Sequence, residues 1–108
     1  MTLTQLKIFI AVAEIGNVTK AAEALGMTQS AASAAIAAIE EVYQVQLFER
    51  VGRAIELSET GRRFLPEAQN VIASAKTATR NLRSLGGKTY GKLQIAASQT
   101  IANYWLPQ

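Results

Sequence analysis

The sequence predicts a mainly α-helical chain with one small β-hairpin and a long final helix. Three observations carry that expectation. Apolar residues recur at helical spacing in successive segments before residue 44, two short alternating runs flank Gly52, and a stripe stepping by fours and threes runs from Phe64 to Leu85. At 108 residues the chain suffices for one small domain and an appendage, with little room for two cores.

Thr2-Leu3-Thr4-Gln5 has the form of a capping box, and Leu6, Phe9, Ile10 and Ala13 follow at helical spacing, so a first helix is expected to about Ile15. Gly16-Asn17 ends it. Thr19 is placed to cap a short second helix from Lys20 to Leu25, whose end Gly26 marks. Met27 connects. Thr28 is a good N-cap for a third helix, in which Ala32, Ile36, Ile39 and Tyr43 make 4-3-4 steps and form an inward face. Gln29, Ser30, Ser33 and Ala37 then point elsewhere.

A short helix, a tight turn through Gly26 and a longer helix make a helix-turn-helix, with Ala21, Ala22 and Gly26 small where the helices approach. In that motif the second helix enters the major groove with its amino-terminal residues at the base edges. Gln can read adenine bidentately, and Ser or Thr read more permissively. Taken alone, the third helix also reads as an alanine-rich member of a three-helix bundle.

Val45 to Arg50 and Ala54 to Leu57 alternate on either side of Val51-Gly52-Arg53, which reads as a hairpin. After a helix-turn-helix such a hairpin is a wing, and Arg50 and Arg53 near its tip suit phosphates or a narrow minor groove. A surface hairpin with ordinary arginines is the alternative. The predicted fold is thus a winged helix-turn-helix followed by a long dimerisation helix.

Ser58 can cap that helix, expected to run to about Leu85. Phe64, Ala68, Val71, Ala75, Ala78, Leu82 and Leu85 form a heptad seam, with Leu65, Ile72 and Thr79 repeating every seven beside it. So long a stripe outruns so small a domain. We therefore expect it to pair with a second copy, with Phe64, Ala68, Val71, Ile72, Ala75, Leu82 and Leu85 at the interface; packing on a later domain is the alternative. Pro66 is expected to distort the early turns. Gly86 to Gly91 reads as a boundary, after which Leu93, Ile95 and Ala97 alternate as a strand and Ser98-Gln99-Thr100 can cap a helix. That is the opening βα unit of a larger domain. The regions expected are 1–58, 59–85, 86–91 and 92–108.

Residues 1–45 carry a net charge of −2 and residues 46–92 a net of +5. The basic zone suggests a polyanion partner, although a solvated face is the commoner meaning of such runs. The chain has no Cys or His, and all eight acids are Glu. That leaves no thiolate, no triad and no common metal ligand, so neither an enzyme nor a metal or cofactor site is expected. Glu40 and Glu41 are neighbours that diverge by about 100° on a helix and read as a solvated face. No apolar run is long enough for a membrane span, and a soluble, cytoplasmic protein is expected.

Leu6 and Phe9, then Val18-Thr19-Lys20-Ala21-Ala22 and Leu25, Thr28-Gln29-Ser30-Ala31-Ala32-Ser33, Ile36, Ile39-Glu40, Leu47-Phe48-Glu49-Arg50, Arg53 and Leu57-Ser58-Glu59-Thr60-Gly61 resemble, in order and spacing, the amino-terminal part of a LysR-type transcriptional regulator. The tail, with Gly91-Lys92-Leu93-Gln94-Ile95 and Leu106-Pro107, resembles the start of that family's effector-binding domain. The resemblance implies a dimeric bacterial regulator, often a tetramer, that binds dyad-symmetric sites in double-stranded DNA and answers to a small-molecule effector. By position it implies DNA contacts at Lys20, Thr28, Gln29, Ser30, Ser33, Arg50 and Arg53, and an effector-facing loop at Ser98 and Thr100. Positions 34 and 35, where the family often has Arg or Gln, are both Ala here. That shifts weight onto Gln29, Ser33 and the wing. A protein-interaction module and a molybdate-responsive winged helix are the other readings.

Overall fold

The computed structural model describes residues 1–88. Thr2 starts the first helix, α1 (Leu3–Ile15). Its hydroxyl accepts the Gln5 N–H at 3.1 Å, and Gln5 Oε1 accepts the Thr2 N–H at 2.9 Å. The capping box thus satisfies two donors that the helix itself leaves open.

The second helix, α2 (Val18–Leu25), begins two residues before the expected Lys20. Asn17, not Thr19, is the cap: it is extended, with φ −155°, and its Oδ1 accepts the Lys20 N–H at 2.8 Å. Both residue types can cap, but the cap must sit outside helical φ/ψ, and only the backbone of Asn17 does. Thr28 caps α3 (Gln29–Tyr43) as the sequence predicts, accepting the Ala31 N–H at 3.1 Å.

Ala32, Ile36 and Ile39 of α3 are buried, but Tyr43, expected beside them, is 51% exposed. The reason is the next residue: Gln44 is left-handed, with φ 53°, and turns the chain so that Leu47 closes the core there at 2% exposure. The hairpin follows as β1 (Phe48–Val51) and β2 (Ala54–Leu57), antiparallel, with Phe48 opposite Leu57 and Val51 opposite Ala54. Gly52 takes the first central turn position with φ 65°, where a two-residue hairpin loop requires positive φ.

The long helix, α4 (Glu59–Lys88), carries Pro66 without interruption and continues past Gly86, where an end was expected. Proline costs one backbone hydrogen bond, and glycine about 1 kcal/mol of propensity, neither enough to end this helix. Ser58 is its amino cap: the buried hydroxyl accepts the Gly61 N–H at 2.9 Å and donates to the Gln46 carbonyl.

The core gathers Phe9, Val12, Ala21, Ala22, Ala32, Ile36, Ile39, Leu47 and Phe48 from the first three helices and the hairpin. Phe9, fully buried, holds its ring 5.5 Å from Phe48 and 5.3 Å from Phe64. Helix α4 completes this core with Ala68 and Ile72, at 0% and 8% exposure, and with partly buried Phe64 and Leu65. Ala68 and Ile72 were expected on a dimer seam; a helix beginning against the wing must first cover the open side of the helix-turn-helix, and these residues do so. A compact unit accordingly runs from Met1 to Ile72. In the unit that begins at Ala73, Ala75 is half-buried, Leu82 is 70% exposed and Leu85 is 47% exposed. The expected strand near Leu93, and Ser98 and Thr100, lie outside the described residues.

Candidate nucleic-acid interface

The helix-turn-helix depends on a sharp stop after α2. Gly26 supplies it at φ 72°, and the Met27 N–H closes back on the Ala22 carbonyl at 3.0 Å. This is a hydrogen-bonded C-cap that a glycine adopts without a Cβ penalty. Ala21, Ala22 and Ala32, buried to 1% or less, leave α2 and α3 free to approach closely.

The opposite side of α3 is open. Gln29, Ser30 and Ser33 are exposed, as are Ala34 and Ala37. Thr28 is exposed too, with its hydroxyl oxygen engaged at the Ala31 N–H. The first turn of α3 holds no acidic side chain, so the partial positive charge of its amino end is left for an external anion.

The wing meets this helix in two adjoining grooves. One is lined by Gln29, Arg50 and Arg53 with Asn17 and Thr19 from the start of α2. The other is lined by Ser33 and Ala37 of α3 with Glu40, Gln46 and Arg50. Arg50 belongs to both. The described ion pairs are Glu59 with Arg62 at 3.3 Å and with Arg63 at 3.0 Å, on α4. Among the described residues neither Arg50 nor Arg53 forms an ion pair; the groove with Gln29 holds no carboxylate, whereas Glu40 and Glu49 line the second groove beside Arg50.

The structure therefore brings together Gln29, Ser33, Arg50 and Arg53 from the predicted set. Ser30 sits on the outer face of α3, and Lys20 is exposed on α2; neither lines these grooves. Sequence reasoning missed Glu40, whose Oε2 accepts the Leu47 N–H at 2.8 Å. Its acceptance of a backbone N–H seven residues away leaves no mark in side-chain periodicity. Gly61 was quoted only as part of a motif, whereas its site has a physical demand: a Cβ there would overlap the Leu47 carbonyl oxygen. Among the described residues there is no cluster of metal-ligating side chains, and no helix is long and apolar enough to cross a membrane.

A family profile described as the bacterial regulatory helix-turn-helix protein, lysR family, matches residues 3–62. This chain belongs to the LysR family. An HTH-type transcriptional regulator encoded in the ibpB-leuC intergenic region of Azotobacter vinelandii is 43% identical over 107 residues, covering 99% of this chain and 74% of that protein. The Bacillus subtilis HTH-type transcriptional regulator YvbU is 37% identical, and this LysR-family chain spans only 37% of its length. Among solved structures, the CbnR DBD–DNA complex superposes with a TM-score of 0.74 at 37% identity, covering 80% of this chain and 99% of that one. The BenM DBD complex with catB site 1 DNA gives a TM-score of 0.77 at 29% identity, covering 81% of this chain and 97% of the BenM domain. The relatives are transcriptional regulators rather than enzymes, and the winged helix-turn-helix with its long helix is their DNA-binding fold.

Proposed function

We propose that this chain is the sequence-reading, DNA-binding module of a cytoplasmic LysR-type transcriptional regulator that binds dyad sites in double-stranded DNA as a homodimer. The amino end of α3 enters the major groove, with Thr28, Gln29, Ser30 and Ser33 at the base edges. Arg50 and Arg53 meet phosphate or the minor groove, and Lys20 a flanking phosphate. The observation that carries this reading is the convergence of Gln29 with Arg50 and Arg53 on one groove, where the arginines have no acidic partner among the described residues. This also explains how a helix without a basic residue reads a polyanion: phosphate charge is met by the wing and by backbone amides, leaving α3 to small polar side chains.

Dimerisation uses α4, where Val71 at 46% exposure, Leu82 at 70% and Leu85 at 47% keep apolar surface open, with half-buried Ala75 between them in sequence. Phe64, Ala68 and Ile72 support that helix from within the domain core. The whole regulator takes a small-molecule effector and assembles further into a tetramer.

Selection from a randomised duplex pool at about physiological salt, where non-specific binding is weak, tests the assignment. An inverted repeat should be enriched, with half-sites about 34 Å or a multiple of that apart. A folded, dimeric protein that enriches nothing would instead make α4 a protein-binding helix and the winged domain its scaffold.

A further inference from the structure

The peptide groups of Leu47 lie where three elements meet. The Leu47 N–H donates to Glu40 Oε2 of α3 at 2.8 Å, and the Leu47 carbonyl accepts the Ser58 N–H at 2.9 Å, just before α4. Gly61 of α4 packs on that same carbonyl. The next residue, Phe48, starts β1 with its ring against Phe9, and Arg50 follows two residues later in the groove that Glu40 and Ser33 share. Ser58 and Gly61 thus tie the wing to α4, while the Glu40 carboxylate ties it to α3.

A carboxylate in a groove facing a polyanion costs repulsion, and Glu40 forms no ion pair with Arg50 there. Its side-chain oxygen instead accepts a hydrogen bond from main chain, a role that an amide oxygen at the same position can also fill. We infer that Glu40 is a positioning residue for DNA recognition, fixing the spacing between α3 and the wing arginines so that base and phosphate contacts form in one register. This rests on the proposed roles of Arg50 and Arg53.

Three variants separate position from charge. Glu40→Gln keeps the acceptor and removes the charge; Glu40→Asp keeps the charge and withdraws the acceptor by one methylene; Glu40→Ala removes both. Affinity and the slope of log K against log salt are measured on the enriched repeat, or on a mixed-sequence duplex at low salt, after circular dichroism has established folding. Glu40→Gln should bind at least as tightly as the parent with an unchanged slope. Glu40→Asp should lose roughly ten-fold and about one unit of slope, as loss of a phosphate contact does, and Glu40→Ala, if folded, should do the same. In an Arg50→Ala, Arg53→Ala background Glu40→Asp should add less than about two-fold. If Gln tightens binding while Asp matches the parent, or if the Asp loss persists in full without the arginines, Glu40 acts by charge or by general stability and the inference fails, with the wing contacts intact. If the arginine pair itself leaves affinity and slope at parental values, the wing reading falls and the inference with it.

Discussion

Replacing Gly61 by alanine should destabilise the domain by roughly 1–3 kcal/mol, although glycine-to-alanine changes inside helices ordinarily stabilise by about 0.5–1 kcal/mol. The added methyl would overlap the Leu47 carbonyl oxygen and lie 2.8 Å from Leu57 Cδ2. The leucine end can rotate away. The carbonyl cannot follow, because it is held by the Ser58 N–H at 2.9 Å while the same residue's N–H is held by Glu40 at 2.8 Å. Relief requires the first turn of α4 to withdraw from the wing, an overpacking cost of about 1–3 kcal/mol, with about 0.5–1.5 kcal/mol more if the Ser58 hydrogen bond breaks. The steric cost exceeds the helical gain. A domain of this size loses about 4–8 °C of Tm per kcal/mol, so a melt followed by circular dichroism should fall by roughly 5–20 °C. Gly86→Ala on the same helix meets nothing within 4 Å and should hold or raise helicity. A Gly61→Ala protein melting at or above the parent would refute the packing argument.

Asn17→Ala should cost about 1 kcal/mol, since it removes the acceptor for the Lys20 N–H, whereas Thr19→Ala should stay within about 0.5 kcal/mol; urea titration of both variants checks which residue caps α2. Phe9→Ala should cost about 3–5 kcal/mol, because Phe9 is fully buried and its ring meets both Phe48 and Phe64; a cooperative melt near the parental Tm would contradict this. Gln29→Ala should weaken the enriched site by about 1–3 kcal/mol and leave random duplex nearly unchanged; equal loss on both, measured by competition binding, removes a reading role. Leu82→Ser should forfeit about 1–2 kcal/mol of burial in each copy and raise the dimer dissociation constant roughly thirty- to thousand-fold in sedimentation, whereas an unaltered constant would take Leu82 out of the interface.

The order of elements is legible because local chemistry marks each one. Thr2 with Gln5, Gly26, Thr28 and Gly52 act through hydrogen bonds and φ angles within four residues of themselves, so their signals survive in the linear text. The candidate site is half legible on the same ground. Gln29 and Ser33 follow from the outward phase of α3, and the wing arginines from a hairpin placed after a helix-turn-helix. Their convergence on one groove does not follow, because it depends on how the hairpin packs back against α2 and α3.

The sequence by itself determined the mainly α winged helix-turn-helix, the long helix after it, and the residues that share each helical face. Tertiary structure decided which partner covers a face. Along α4, Ala68 and Leu82 stand two heptads apart on one side of the helix, yet one is fully buried in the domain and the other 70% exposed. Periodicity records only direction around an axis, not how far along that axis a neighbouring surface extends. The same limit hid Glu40 and Gly61, whose constraints are the N–H and the carbonyl of Leu47. Every residue carries those backbone groups, so only their position in space makes them specific.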